Sequence, residues 1–384
     1  MRLLLAAILP CALHAVEPPP AKPEPGPKPK PKVEVCFVLD TTGSMGGLIQ
    51  GAKDKIWSIA NEMVSTKPAP DIKFGLIGYR DRGDEYITKF YPLSDDLDDI
   101  YGKLMEFRAD GGGDTPESVN QALHEAVTKM EWNTGRDVLK IIFLVGDAPP
   151  RMDFQDEVKY PEVCQMAVKK DLIINTIQCG NMAETTPVWN EIASKAEGEY
   201  AAILQDGGTV AIATPYDAEI STVNAALAGT VIGYGDMTVQ RAVESKLALA
   251  AAAPAEATAD RANYLVKTKS APAASAKVIS GAQDLVALVE EGSLDLAKVE
   301  REKLPEPLQK LSPEEQKAQV EKNLAERKRL NAEMEDLVKK RSAFLEEDKK
   351  RQAASGKADS FDAQVKSMIK QQASAKGIRY GSED

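Results

Sequence analysis

Two stretches of this chain are apolar nearly from end to end, residues 33–39 (VEVCFVL) and 138–145 (VLKIIFLV). A strand with one wet face alternates apolar and polar side chains, so continuous runs of this kind call for strands covered on both faces. Similar runs occupy 72–79 (IKFGLIGY), 87–93, 173–179 (IINTIQC) and 200–204. Between them, apolar residues return at helical spacing: Leu48, Ala52, Ile56, Ile59 and Met63, then Leu97, Ile100, Leu104 and Phe107, then Val119, Leu123, Ala126 and Met130. Further helices are expected around 158–170 and 187–196. Strands alternating with helices predict an α/β fold, a Rossmann-like open, mostly parallel sheet with helices on both faces.

The flanks differ from this unit, which spans 33–212. Arg2, an apolar run over 3–12 and Ala15 read as an export leader over 1–15. The run is too short to cross a bilayer, and no later stretch of about 18 apolar residues exists. The expectation is an exported chain, periplasmic or extracellular at the cell surface, with no transmembrane segment once the leader is removed. Residues 16–32, rich in Pro and Lys, form a polyproline-type linker. Residues 213–300 read as an Ala-rich, partly ordered connector, with little helical patterning over 245–275. Ser312-Pro313-Glu314-Glu315 has the signature of a capping box within a charged helical region, 301–384. Glu335/Lys339, Asp336/Lys340 and Glu346/Lys350 stand at supportive i,i+4 spacing. Leu330, Met334, Leu337 and Phe344 make an apolar stripe that Arg341 interrupts, short of the roughly three or four clean heptads a coiled coil needs. A helical hairpin, docking on a partner or self-association through these helices are the uses open to it.

Composition removes several functions. With 59 acidic against 48 basic residues the net charge is −11, which argues against general nucleic-acid binding. Two histidines, His14 in the leader and His124 on a helix, supply little for zinc or histidine catalysis. Cys36, Cys164 and Cys179 follow the leader. A Cys164–Cys179 bridge is open to them, but thiols packed as small core hydrophobes are the simpler reading.

The chemistry gathers where apolar strands end. VCFVLDTTGSM places Asp40 at a strand's carboxyl end, followed on one loop by Thr42 and Ser44, and ligands of open α/β sheets bind at such ends. GGGDTPES places Thr115 after three glycines, and IIFLVGDAPP places Asp147 at the end of the second apolar run. One carboxylate with two hydroxyls suits half the oxygen shell of a hard cation such as Mg²⁺, with Mn²⁺ or Ca²⁺ as alternatives. Each hydroxyl also has a plainer use, as a helix cap.

The pattern Asp-x-Thr-x-Ser, then Thr, then Asp after an apolar strand resembles the metal-ion-dependent adhesion site of von Willebrand factor type A domains, in a bacterial exported form. The resemblance covers about residues 33–212. It implies a short antiparallel edge strand at 87–93 and a divalent metal held by Asp40, Thr42, Ser44, Thr115 and Asp147. Thr42 and Ser44 would bind directly, Asp40 and Asp147 often through water. A sixth position would take an Asp or Glu carboxylate of a protein partner. Thr42 stands where the family usually has Ser, and keeps the hydroxyl. The implied function is metal-dependent protein binding, without catalysis. Two rivals remain: VLDTTGS also resembles the strand end of phosphoaspartyl phosphatases, with Asp40 as nucleophile, and the sheet domain could be an inert scaffold whose C-terminal helices bind. Arg82-Gly83-Asp84 reads as a turn, with Arg80, Asp81 and Asp114 as rim or supporting groups.

Overall fold

The computed structural model describes residues 30–66, 68–208, 212–268, 283–353 and 360–379. The segment expected as a leader, most of the expected linker and part of the expected connector lie outside these residues. Six strands form one sheet: β1 (Lys32–Asp40), β2 (Asp71–Tyr79), β3 (Thr88–Ser94), β4 (Val138–Gly146), β5 (Ile173–Cys179) and β6 (Tyr200–Ile203), in the order β3-β2-β1-β4-β5-β6. All neighbours pair in parallel except β2 and β3, so the antiparallel edge falls where the resemblance implied. The two continuous apolar runs became the central pair β1 and β4, β4 buried along its whole length.

Side-chain alternation divides β1 between two cores. Val33, Val35, Phe37 and Leu39 face one side, with α1 (Gly46–Met63) and α2 (Leu97–Glu106). Cys36 and Val38 face the other, with α3 (Val119–Thr128), α4 (Tyr160–Lys169) and α5 (Thr185–Lys195). Cys36, Cys164 and Cys179 are free and buried. Burial pushes all three thiols up, Cys164 to about 12. Only a thiolate attacks an alkylating reagent. Iodoacetamide at pH 8 is therefore expected to leave these three unlabelled in the native chain and to label all of them in denaturant, read by mass spectrometry. Rapid native labelling of any one would place it outside the core.

The region beyond β6 departs from the sequence expectation. Residues 245–268, expected to lack helical order, lie in α7 (Met237–Ala252) and α8 (Ala255–Thr268), separated at Pro254. Their alanines carry little amphipathic signal but are the strongest helix formers. α8 packs on α1, with Tyr264 5.6 Å from Trp57, ring centre to ring centre. With α6 (Asp217–Ala228) it receives the long helix α11 (Pro313–Ala353), which follows the short helices α9 (Leu285–Glu290) and α10 (Glu306–Gln309). The capping box forms in both directions: Glu315 N donates to Ser312 Oγ at 3.2 Å and Ser312 N to Glu315 Oε2 at 2.8 Å.

Leu330, Met334 and Leu337 are buried against α6 and α8, so this stripe is satisfied within the chain. Arg341 does not interrupt it. Its guanidinium is buried and bonds Asp217 Oδ1 at 2.7 Å and Asp260 Oδ1 at 2.6 Å. α12 (Phe361–Ala375) then returns to the sheet, where Phe361, Val365, Met368, Ile369 and Ala373 join the core of β1 and β4. No helix among the described residues is long and apolar enough to cross a membrane.

Candidate functional site

Strand register brings the predicted acids to one edge. Asp40 pairs with Tyr79, and Leu39 with Val145, so Asp40 ends β1 beside the end of β4, and Asp147 is the next residue out. Gly146 keeps this corner open. A Cβ there would fall 2.4 Å from Tyr79 Oη and 3.0 Å from Asp40 Oδ2.

Asp40 is fully buried. Its Oδ1 accepts from Thr42 N at 2.9 Å and Thr42 Oγ1 at 2.7 Å, while its Oδ2 has no partner. Since Thr42 donates its hydroxyl proton to Asp40, its lone pairs remain for another ligand. Ser44 Oγ lies 3.4 Å from Thr42 Oγ1. Asp147 Oδ2 accepts from Gln205 Nε2 at 2.7 Å. Ser44 also lines an open hollow with Gly47, Leu204, Gln205 and Asp206, and Leu204 is 67% exposed there.

Helix capping does not account for the three hydroxyls. Thr42 precedes a 3₁₀ turn over Gly43–Met45 and makes no cap hydrogen bond with its side chain. Ser44 lies inside that turn, and Met45 is the residue preceding α1. Thr115, expected at a helix start, sits upstream of α3, whose N-cap is Ser118. It is exposed in the 110–118 loop, and its hydroxyl meets no partner among the described residues. The structure thus gathers Asp40, Thr42, Ser44 and Asp147, and leaves Thr115 exposed in its loop with no contact to them.

Three side chains missed in the sequence also face this edge: Glu117, Tyr79 and Gln205. Glu117 stands two residues past Thr115 in the same motif, so its position was readable; the other two depend on strand register and a distant turn. Burial, aided by the Asp147 charge and opposed by the Thr42 bonds, raises the Asp40 carboxyl to about 7. Burial and then the charges of Asp40, Asp81, Asp84 and Asp147 raise Glu117 to about 8. Carboxylates crowded in low dielectric disfavour one another's charge, and a bound cation would relieve that. Among the described residues no group of three or more His, Cys, Asp and Glu side chains is arranged to hold a metal ion. The oxygen set offered here mixes hydroxyls with carboxylates.

The surrounding charges are tied down. Arg80 donates to Thr41 O at 3.2 Å and Arg108 O at 2.9 Å. Asp81 bonds Ser118 Oγ at 2.7 Å and Arg151 at 2.5 Å, and Arg151 also holds Asp114 at 2.8 Å. Asp84 accepts from Asp81 N and Gly112 N, and Arg82 stacks 3.9 Å from Phe154, so the Arg-Gly-Asp tripeptide is engaged as a turn.

Residues 34–215 match the family model of the von Willebrand factor A domain. Over 152 residues, 39% of this chain, the sequence is 28% identical to putative ariadne-like RING finger protein R811 of Acanthamoeba polyphaga mimivirus. Over 120 residues, 31% of this chain, it is 35% identical to von Willebrand factor A domain-containing protein 7 of Rattus norvegicus. The chain spans 14% and 12% of the lengths of those two relatives. Among solved structures, proximal thread matrix protein 1 from the mussel byssus shares 18% identity over 46% of this chain and 43% of its own, with a TM-score of 0.36. The SpRpn10 VWA domain shares 13% over 46% of this chain and 89% of its own, with a TM-score of 0.35.

Proposed function

We propose that this chain is an exported, metal-dependent protein-binding module. Asp40, Thr42, Ser44 and Asp147, with Thr115 at the rim, would hold Mg²⁺, Mn²⁺ or Ca²⁺, and the cation would take an Asp or Glu carboxylate of a partner. von Willebrand factor A domains typically mediate protein–protein interactions. One observation carries the reading: Asp40 Oδ2 is buried without a partner, beside two hydroxyls that cap no helix. A buried polar atom left unpaired costs about 1–3 kcal/mol, which a ligand would recover. The bound cation supplies positive charge and an open coordination position. The chain's own residues fix where that charge sits, and Leu204 beside Ser44 offers the partner an apolar contact.

No covalent chemistry is part of the proposal. A phosphoaspartyl nucleophile needs an accessible carboxylate, whereas Asp40 is fully buried and its Oδ1 is engaged by Thr42. Thermal unfolding of the intact chain with Mg²⁺ or Mn²⁺ against chelator tests the site. Ligand at about 100 times Kd stabilises by about 2.7 kcal/mol, so a rise of several degrees is expected in the intact chain and none in the Asp40→Ala, Ser44→Ala double variant. A melting temperature indifferent to metal would sink the reading.

A further inference from the structure

We infer that the hollow beside Ser44 receives a lysine or arginine side chain of the protein partner, its stem lying on Leu204 and its charged head at Asp206. The inference rests on reading this strand-end edge as the partner-binding face, and not on how a cation is held there. The hollow measures about 360 Å³ and is lined by Ser44, Gly47, Leu204, Gln205 and Asp206. Sites for small ligands run from about 300 to 1,000 Å³, so this one has room for a single long side chain. Leu204 is 67% exposed on it. One exposed leucine means little by itself. Here it shares the hollow with a hydroxyl of the first motif and an exposed carboxylate.

The turn that carries both side chains is held at each end. Gly207 N donates to Leu204 O at 2.9 Å, and Gly207 O accepts from Phe361 N at 2.9 Å. Gly208 N donates to Asp206 Oδ1 at 3.0 Å, and Gln205 Nε2 donates to Asp147 Oδ2 at 2.7 Å. A Cβ at Gly47 would lie 2.8 Å from both Cα and Cβ of Asp206, so glycine in the first turn of α1 is what lets this turn seat against the helix. A surface already held in its binding shape loses less entropy on association.

Charge and shape choose the occupant. No Lys or Arg lines the hollow, and among the described residues none pairs with Asp206. Arg80 and Arg151 at this edge are bonded within the chain, their side chains 4% and 11% exposed. An acidic side chain would meet the Asp206 charge, and a wholly apolar one would strip water from that carboxylate with nothing in return. Lysine and arginine bury an apolar stem while keeping the charged head in water, which matches a leucine beside an exposed acid. The partner sequence is therefore one in which a base stands close to the acid, and not an acidic run.

Panning of phage-displayed random peptides on the intact chain, in Mn²⁺ and in chelator, tests this. Peptides selected in Mn²⁺ are expected to carry Lys or Arg at a constant spacing from an Asp or Glu. The same panning on Asp206→Lys, a substitution at an exposed position, is expected to put Asp or Glu in place of that base. Asp206→Asn is expected to melt with the unmodified chain and to bind a synthetic copy of a selected peptide about 2–5-fold more weakly by fluorescence polarisation, the range of a solvent-exposed ion pair. Selected peptides without an enriched base, a base preference unchanged on Asp206→Lys, or unchanged affinity in Asp206→Asn overturns the inference and leaves the partner-binding reading standing. A preference that Asp206→Lys reverses in chelator as well as in Mn²⁺ upholds the hollow and sinks the metal reading. Selection of no peptide in either medium overturns both.

Discussion

A fragment ending at residue 215, the end of the family match, is expected not to hold a stable fold. It lacks α12, whose Phe361, Val365, Met368 and Ile369 are nearly wholly buried against the sheet, with Ile378 beyond its end. Phe361 also packs 6.2 Å from Phe37, ring centre to ring centre. Burying one large apolar side chain is worth about 1.5–3 kcal/mol, so five amount to roughly the 5–15 kcal/mol that stabilises a typical domain. Removing α12 also strands a buried amide in the sheet. Asn175 and Gln372 exchange two hydrogen bonds, 3.0 and 2.7 Å. The fragment further loses Tyr264 from its place against Trp57. Circular dichroism and thermal unfolding of residues 30–215, alone and with a synthetic 360–379 peptide, provide the check. The peptide is expected to restore a cooperative transition. A fragment that melts like the intact chain without it would refute the argument.

The second large effect is expected at Arg341. Arg341→Ala leaves Asp217 and Asp260 facing each other with no cation between them, and breaking a buried pair in this way costs about 3–5 kcal/mol. The triad holds α11 to α6 and α8, so the loss is expected as a lower denaturant midpoint, nearly independent of salt because the groups are shielded from solvent ions. Adding Asp217→Asn and Asp260→Asn to Arg341→Ala should recover part of it by removing the stranded charges. Recovery of nothing, or a loss below about 1 kcal/mol for Arg341→Ala alone, would show the triad to be solvated after all.

The sheet was readable because its strands are long enough for burial to override every other signal. Residues 33–39 and 138–145 have one use only, and they became β1 and β4. Asp40, Thr42 and Ser44 were readable because they share one loop. Arg341 was misread because a charge in an apolar stripe looks the same whether it ends the stripe or bonds an acid on another helix. α7 and α8 were missed because alanine's preference for helix leaves no periodic mark. Gln205 and Tyr79 reach the site only through the end of β6 and the register of β1 with β2, neither of which is written locally. The return of α12 to the sheet is the longest-range feature, and no pattern in its own residues names the face it covers.

That return has a consequence for the order in which the molecule is made. Phe361 N bonds Gly207 O at 2.9 Å, so α12 begins beside the turn that follows β6. The whole sheet is synthesised before residue 204, yet the part of the β1 and β4 face that α12 covers, beside α1 and α2, stays open until more than 150 further residues have emerged. At about 5–20 residues per second that is an interval of roughly ten to thirty seconds in which Phe37 and Phe143 lack the cover of Phe361 and its neighbours. Until that helix arrives the nascent chain presents apolar surface that a shielding factor could cover.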